Sequence, residues 1–116
     1  MVKTILLVKK KPGLSREEFI RHYEDVHARL ALKYLPTLRK YIRNFIIGHQ
    51  GHPFSTPQEP EFDAIVEFWW DSREDEQAAN DWLKTKDAQA LIEDEESFMD
   101  RNKFIIFGVD ERVSKI

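Results

Sequence analysis

The chain has 116 residues with 18 Lys and Arg against 21 Asp and Glu, so its formal net charge is −3. This length fits one domain with a small core, and we predict a single domain over residues 1–116. The slightly acidic balance argues against a nucleic-acid partner, and the absence of cysteine excludes disulfides and thiolate metal sites. No apolar run reaches transmembrane length, so we expect a cytoplasmic protein without a membrane partner.

A strand and a capped helix are predicted first. Residues 2–9 hold a short apolar run that ends before Pro12, which favours a strand buried on both faces. Ser15 and Glu18 then match a capping box, in which each side chain accepts a hydrogen bond from the backbone amide of the other residue. The helix that follows carries an apolar stripe that ends at Pro36 and consists of Phe19, Tyr23, Val26, Leu30 and Tyr34.

Three further strands and two helices complete the predicted order. Alternation over residues 38–49 indicates the second strand, and repeated Pro and Gly over residues 50–61 indicate a long loop that we expect at the rim of a pocket. Residues 62–70 alternate again as the third strand. Helices are expected over residues 72–85 and from residue 87, and the last strand over residues 103–109. The order βαββαβ predicts an α+β, ferredoxin-like fold with a four-stranded antiparallel sheet.

Apolar residues lie on both sides of the predicted strands one, two and four. The helices of a lone ferredoxin-like sheet cover only one face, and the other face should then be polar. We therefore expect the sheet of a second copy to cover that face, which predicts a two-fold homodimer with a closed barrel interior. The alternative is that such short runs carry no signal.

Four fragments follow one another along the chain, namely Lys11 to Phe19, Tyr23 with His27-Ala28, Asp63 with Glu67, Trp69 and Trp70, and Asp94-Glu95 with Phe98 and Asp100. In this order they resemble the EthD family, which belongs to the dimeric α+β barrels. The resemblance spans nearly the whole chain and implies the dimeric barrel fold. It also implies that the helix histidine, His27, is an active-site base or acid, and that the activity is a dehydration, decarboxylation, isomerisation or tailoring step.

His27 is the first candidate for chemistry. It falls within the apolar arc of its helix, so its imidazole should point towards the sheet rather than into water. A group with an ordinary pKa near neutrality can both take and return a proton, which suits a general base in a cofactor-free reaction. The alternative is a structural histidine that is hydrogen-bonded to a backbone carbonyl.

The third strand supplies two acidic candidates. Asp63 and Glu67 share a strand face. If this face lines the cavity, we expect one of them to orient His27, or to stay protonated because apolar walls raise its pKa and to donate to a substrate oxygen. The alternative is a pair of surface or interface ion pairs. Tyr41 is expected to hold a substrate oxygen, unless it is a core residue.

The predicted pocket is aromatic and suits a planar or polyketide-like ligand. Its expected substrate-binding residues are Tyr23, Phe68, Trp69, His49 and His52. A metal site is not expected, because His22 and His27 are five residues apart and such a spacing turns two side chains away from each other on an α-helix.

The sequence therefore predicts a cofactor-independent lyase or isomerase that acts on a hydrophobic, oxygenated aromatic or polyketide-like small molecule. The alternative from another class is a non-catalytic accessory or ligand-binding protein of an oxygenase or degradation pathway. A haem or quinol oxygenase is the weakest alternative, because only His27 offers a haem ligand.

Overall fold

The computed structural model describes residues 1–48, 50–51, 53–54 and 60–116. In this part of the chain no helix is long and apolar enough to cross a membrane. The predicted order of elements is confirmed. The elements are β1 (Val2–Val8), α1 (Arg16–His22), a π-helical turn (Tyr23–His27), α2 (Ala28–Tyr34), β2 (Lys40–Phe45), β3 (Ala64–Trp70), α3 (Arg73–Trp82), a 3-10 turn (Lys86–Ala88), α4 (Gln89–Phe98) and β4 (Ile105–Val109).

The four strands form one antiparallel sheet in the order β2-β3-β1-β4, so the fold is ferredoxin-like. Leu6 in the middle of β1 lies opposite Val66 of β3 and Ile106 of β4. Because side chains alternate along a strand, Val8, like Leu6, is on the helix-facing side, and both are buried in the core. The helices cover this face only.

The first helix begins where the capping box predicts. The Ser15 hydroxyl oxygen accepts from the Glu18 amide at 3.1 Å, and the Glu18 carboxylate accepts from the Ser15 amide at 3.0 Å. Two amides that would otherwise lack partners at the helix start are thereby satisfied.

One turn of this helical segment, Tyr23–His27, is π-helical, and here the Ala28 amide donates to the carbonyl of Tyr23, five residues earlier. A turn closed by such a bond holds more residues than an α-helical turn, so side chains five apart come to nearly the same side. His22 and His27 therefore face the same neighbour, and the predicted divergence of these two histidines is wrong.

The second face of the sheet carries an apolar patch, as the two-sided strands predict. Ile65 of β3 is 37% exposed and Phe107 of β4 is 41% exposed. Ile5 of β1 lies opposite Phe107 and shares this face. Such a patch on a sheet face is typical of a surface that another protein covers.

Candidate active site

A cavity of about 560 Å³ lies between the sheet and the helices. Its walls are mainly apolar, and they include Leu6 and Phe68 from the sheet, Leu91 from α4 and Leu35 directly after α2. A smaller set of polar side chains also lines it, namely Thr4, Tyr23, His27, Glu76, Gln77, Asn80, Lys84, Glu95 and Arg101. A concave site that combines apolar walls with convergent polar groups is typical of a small-molecule site.

His27 is held in the wall of this cavity by an acid from another helix. Its Nδ1 lies 2.8 Å from Oδ2 of Asp94 in α4. The ring packs against Tyr23 and Phe98, with centroid distances of 5.5 and 5.0 Å. Because the carboxylate accepts the Nδ1 proton, the neutral ring has its lone pair on Nε2. The prediction that His27 points away from water is confirmed, since the residue is 4% exposed.

The two largest effects on the protonation of His27 oppose each other. Burial lowers the pKa of its imidazole below the ordinary value, and the Asp94 carboxylate partly opposes this effect. The net lowering keeps His27 neutral at neutral pH, which is the form that a general base requires.

Glu95 supplies a second titratable group in the same cavity. Its Oε2 is 3.9 Å from His27 Nε2, and its Oε1 is 3.5 Å from an Arg101 guanidinium nitrogen. Burial raises the pKa of this carboxyl to about 7, although the charge of Arg101 opposes the rise. A neutral imidazole and a carboxyl that titrates near neutrality therefore lie side by side.

The raised pKa of Glu95 predicts a specific pH dependence of stability. A carboxyl that ionises at 4.5 when unfolded and at about 7 when folded holds its proton more tightly in the folded state. Its stabilising contribution is therefore complete below about pH 4.5 and is lost as the pH rises to about 7, by about 3 kcal/mol. Glu95→Gln, which mimics the protonated acid, should not show this loss. Urea unfolding of both proteins across this pH range measures the difference, and parallel curves would contradict the raised pKa.

The two tyrosines that were predicted near the site occupy different positions. Tyr23 lines the cavity, and burial raises the pKa of its phenol, so the hydroxyl stays a hydrogen-bond donor. Tyr41 packs on Phe68 at 5.1 Å between ring centroids, and burial raises the pKa of its phenol as well. Its buried hydroxyl interacts with that of Tyr23, and this contact raises the pKa of the Tyr23 phenol further.

The structure does not bring Asp63 and Glu67 to His27. Asp63 lies just before β3 and accepts a hydrogen bond from the Lys10 amide at 2.7 Å. Glu67 pairs with Lys3 at 2.9 Å, and this contact lowers the pKa of its carboxyl. Alternation along β3 places Glu67 on the face opposite to the buried Val66, away from the helices. The prediction that one of these acids orients His27 is corrected, because Asp94 takes that position.

Some of the predicted substrate-binding residues line the cavity, and others do not. Tyr23 and Phe68 line the cavity with His27. Trp69 lies on the other sheet face, where the Lys3 ammonium is 4.3 Å from the centroid of its ring. His49 and His52 fall outside the described residues.

Sequence reasoning assigned no role to Asp94 or Glu95. One signal was available, because Leu91, Glu95 and Phe98 have the i, i+4, i+7 spacing of one helix face. Leu91 and Phe98 are both buried, so an acid between them had to be buried as well. The partner of each acid depends on how α4 packs, and the sequence does not reveal that. Among the described residues, no group of three or more His, Cys, Asp or Glu side chains could hold a metal ion.

Comparison with known proteins identifies the family. The EthD domain profile matches residues 11–102, which is most of the chain. The chain belongs to the EthD family. No curated protein matches this EthD sequence significantly.

Solved structures agree with the fold of this EthD domain. An ethyl tert-butyl ether D (EthD) family protein from Bacillus halodurans is 24% identical over 97% of this chain and 100% of its own, with a TM-score of 0.67. An EthD-like protein from Ralstonia eutropha is 16% identical over 98% and 94%, with a TM-score of 0.71. A dimeric protein of unknown function with a ferredoxin-like fold from Bacteroides fragilis is 12% identical over 95% of each chain, with a TM-score of 0.56.

Proposed function

We propose that this EthD protein is a cofactor-independent lyase or isomerase that moves a proton on a hydrophobic, oxygenated aromatic or polyketide-like molecule. The observation that carries the proposal is the pair formed by His27 and Glu95 in one apolar cavity. His27 is neutral and is held by Asp94, while the pKa of Glu95 is raised to about 7. A neutral base and an acid that titrates near neutrality therefore face one cavity, as acid–base chemistry requires.

In this proposal each group has a role that its position allows. Nε2 of His27 removes a proton from a carbon next to a carbonyl, and the Tyr23 hydroxyl donates to the carbonyl oxygen, on which negative charge develops. Protonated Glu95 then gives its proton either to another carbon, which completes an isomerisation, or to a hydroxyl that leaves as water, which completes a dehydration. The proton on His27 then moves to the Glu95 carboxylate, whose Oε2 lies 3.9 Å from Nε2 of His27. This transfer returns His27 to its neutral form and Glu95 to its protonated form.

The cavity supports the proposed class of substrate. Its volume of about 560 Å³ is in the range of pockets that hold drug-sized molecules. Glu76 and Thr4, joined to each other by a hydrogen bond, add polar groups to this cavity. An apolar ring system that carries several oxygens fits such a lining.

We also propose that the protein is a homodimer in which the two sheets meet through their helix-free faces. The exposed apolar patch with Ile65 and Phe107 supports this arrangement, and the related Bacteroides fragilis protein is described as dimeric. A cytoplasmic location is part of the proposal, and a chain without cysteine is consistent with it.

A generic probe of proton abstraction tests the proposed chemistry without the natural substrate. 5-Nitrobenzisoxazole is a planar, apolar molecule that loses one C–H proton to a base, breaks its N–O bond and yields a coloured cyanophenolate. We expect the protein to accelerate this reaction above its buffer, with a rate that rises with pH as His27 becomes neutral, followed by absorbance. Binding of the probe without any acceleration would contradict the enzyme proposal and favour a non-catalytic ligand-binding protein.

A further inference from the structure

The Asp94 carboxylate bridges two histidines that lie in different environments. Its Oδ2 is 2.8 Å from Nδ1 of His27, and its Oδ1 is 2.9 Å from Nε2 of His22. The side chain of His27 is 5% exposed in the cavity wall, whereas that of His22 is 30% exposed. One carboxylate therefore connects a side chain in the cavity wall with a side chain that is partly exposed to solvent.

The π-helical turn is the reason that both rings reach one carboxylate. His22 is the last residue of α1 and His27 is the last residue of the turn Tyr23–His27. In an unbroken α-helix these positions would be about 140° apart around the axis, and one carboxylate could not accept from both rings. The turn brings them to the same side, against the face of α4 that carries Asp94. π-Turns are rare and occur often at functional sites.

His22 faces a surface cleft that is separate from the cavity. The cleft has a volume of about 370 Å³ and is lined by Leu14, Glu18, Arg21, His22, Asp25, Val26, Ser97 and Phe98. The charged groups near His22 are thus Glu18, Arg21 and Asp25 from its own helical segment and Asp94 from α4.

The titratable and charged groups near His27 are Tyr23 from its own turn, Asp94 and Glu95 from α4, Tyr41 from β2 and Arg101 from the segment before β4.

We propose that His22 is a positioning residue that acts through Asp94, so that the charge of His22 at the surface controls the protonation of His27 in the cavity. The inference rests on the proposed role of His27 as a base. It extends that proposal because it assigns control of the base to a residue outside the substrate cavity.

The physical reason is competition for one negative charge. When His22 is neutral, the Asp94 carboxylate is free to stabilise a proton on His27. When His22 is protonated, it neutralises Asp94, and its charge lowers the pKa of His27. His27 then stays neutral at a lower pH, and the base persists in more acidic solvent than it would beside Asp94 alone. The two histidines therefore titrate as a coupled pair.

The test is a pH titration of the histidine ring signals by NMR in the full ¹⁵N-labelled protein, which requires no substrate. His22→Gln keeps a donor for Asp94 but cannot become charged. His22→Lys carries a permanent charge at the same place. We expect the proton affinity of His27 to rise several-fold in the first variant and to fall in the second. An unchanged His27 titration in both variants, or a shift in the same direction in both, would overturn the proposal.

Arg21→Gln is the matched control, because Arg21 lines the same cleft and carries a positive charge without an ion pair to Asp94 in the structure. Removal of this charge should change the His27 titration much less than His22→Gln does. An equal change would show a general surface field rather than an effect through Asp94, and it would also overturn the proposal. Failure of the benzisoxazole assay leaves this coupling intact, so the two proposals fail independently.

Discussion

His27→Asn is expected to lower the rate of the benzisoxazole reaction by about a hundredfold or more, which is the usual effect of losing a positioned general base. The asparagine amide can still donate to Asp94, so the acid keeps its partner and is not left buried and unpaired. The substitution therefore removes the basic Nε2 while it retains the local hydrogen bond. Rate and thermal midpoint are measured on the same preparation.

Because His27 is buried, its substitution is expected to destabilise the fold. A side chain that only faces a cavity could be truncated at little cost, but this ring packs against Tyr23 and Phe98. We expect His27→Asn to destabilise the fold by about 1–2 kcal/mol from lost packing.

Phe45→Leu is a suitable control for this loss. Phe45 packs against Phe19 and Tyr23 in the core but is not part of the cavity lining. Its shortening should produce a comparable drop in thermal midpoint, with a rate within tenfold of the parent. If the two variants lost the same fraction of the rate, the effect of His27 would be structural, and the acid or base role would pass to Glu95 or Tyr23.

Ile65→Asp is expected to convert the proposed dimer into a monomer. The substitution places a carboxylate in the apolar patch of the helix-free sheet face, where Ile65 is 37% exposed in the single chain. Two-fold symmetry introduces the charge twice, and burial of unpaired charges in an interface is strongly unfavourable. We expect the dissociation constant to rise at least a hundredfold, which corresponds to about 3 kcal/mol. Sedimentation velocity over a concentration series measures this change.

Leu32→Asp is the control for the dimer prediction. Leu32 is an exposed residue of α2 and lies on the helical layer rather than on the open sheet face. The same new charge at this position should leave the dimer intact. A parent protein that sediments as a monomer, or a dimer that Ile65→Asp does not weaken, would exclude the proposed sheet-to-sheet arrangement.

Local patterns in the sequence determined the elements and the general position of the site. Ser15 and Glu18 lie three residues apart, so the start of the first helix could be predicted from spacing alone. The apolar arc that contains Tyr23 and His27 predicted that His27 is buried. Such features depend on neighbours within one or two turns, which a sequence displays directly.

Only the tertiary structure decided which groups meet. Asp94 is 67 residues from His27 and 72 from His22, so no local pattern links them, and both contacts also depend on a π-turn that helical spacing does not predict. The sequence showed that Glu67 alternates with buried residues, but the packing of the helices decided that its face lies away from the cavity. The proposed chemistry depends on contacts between α4 and the first helical segment, and such long-range packing is set by the whole core rather than by any single segment.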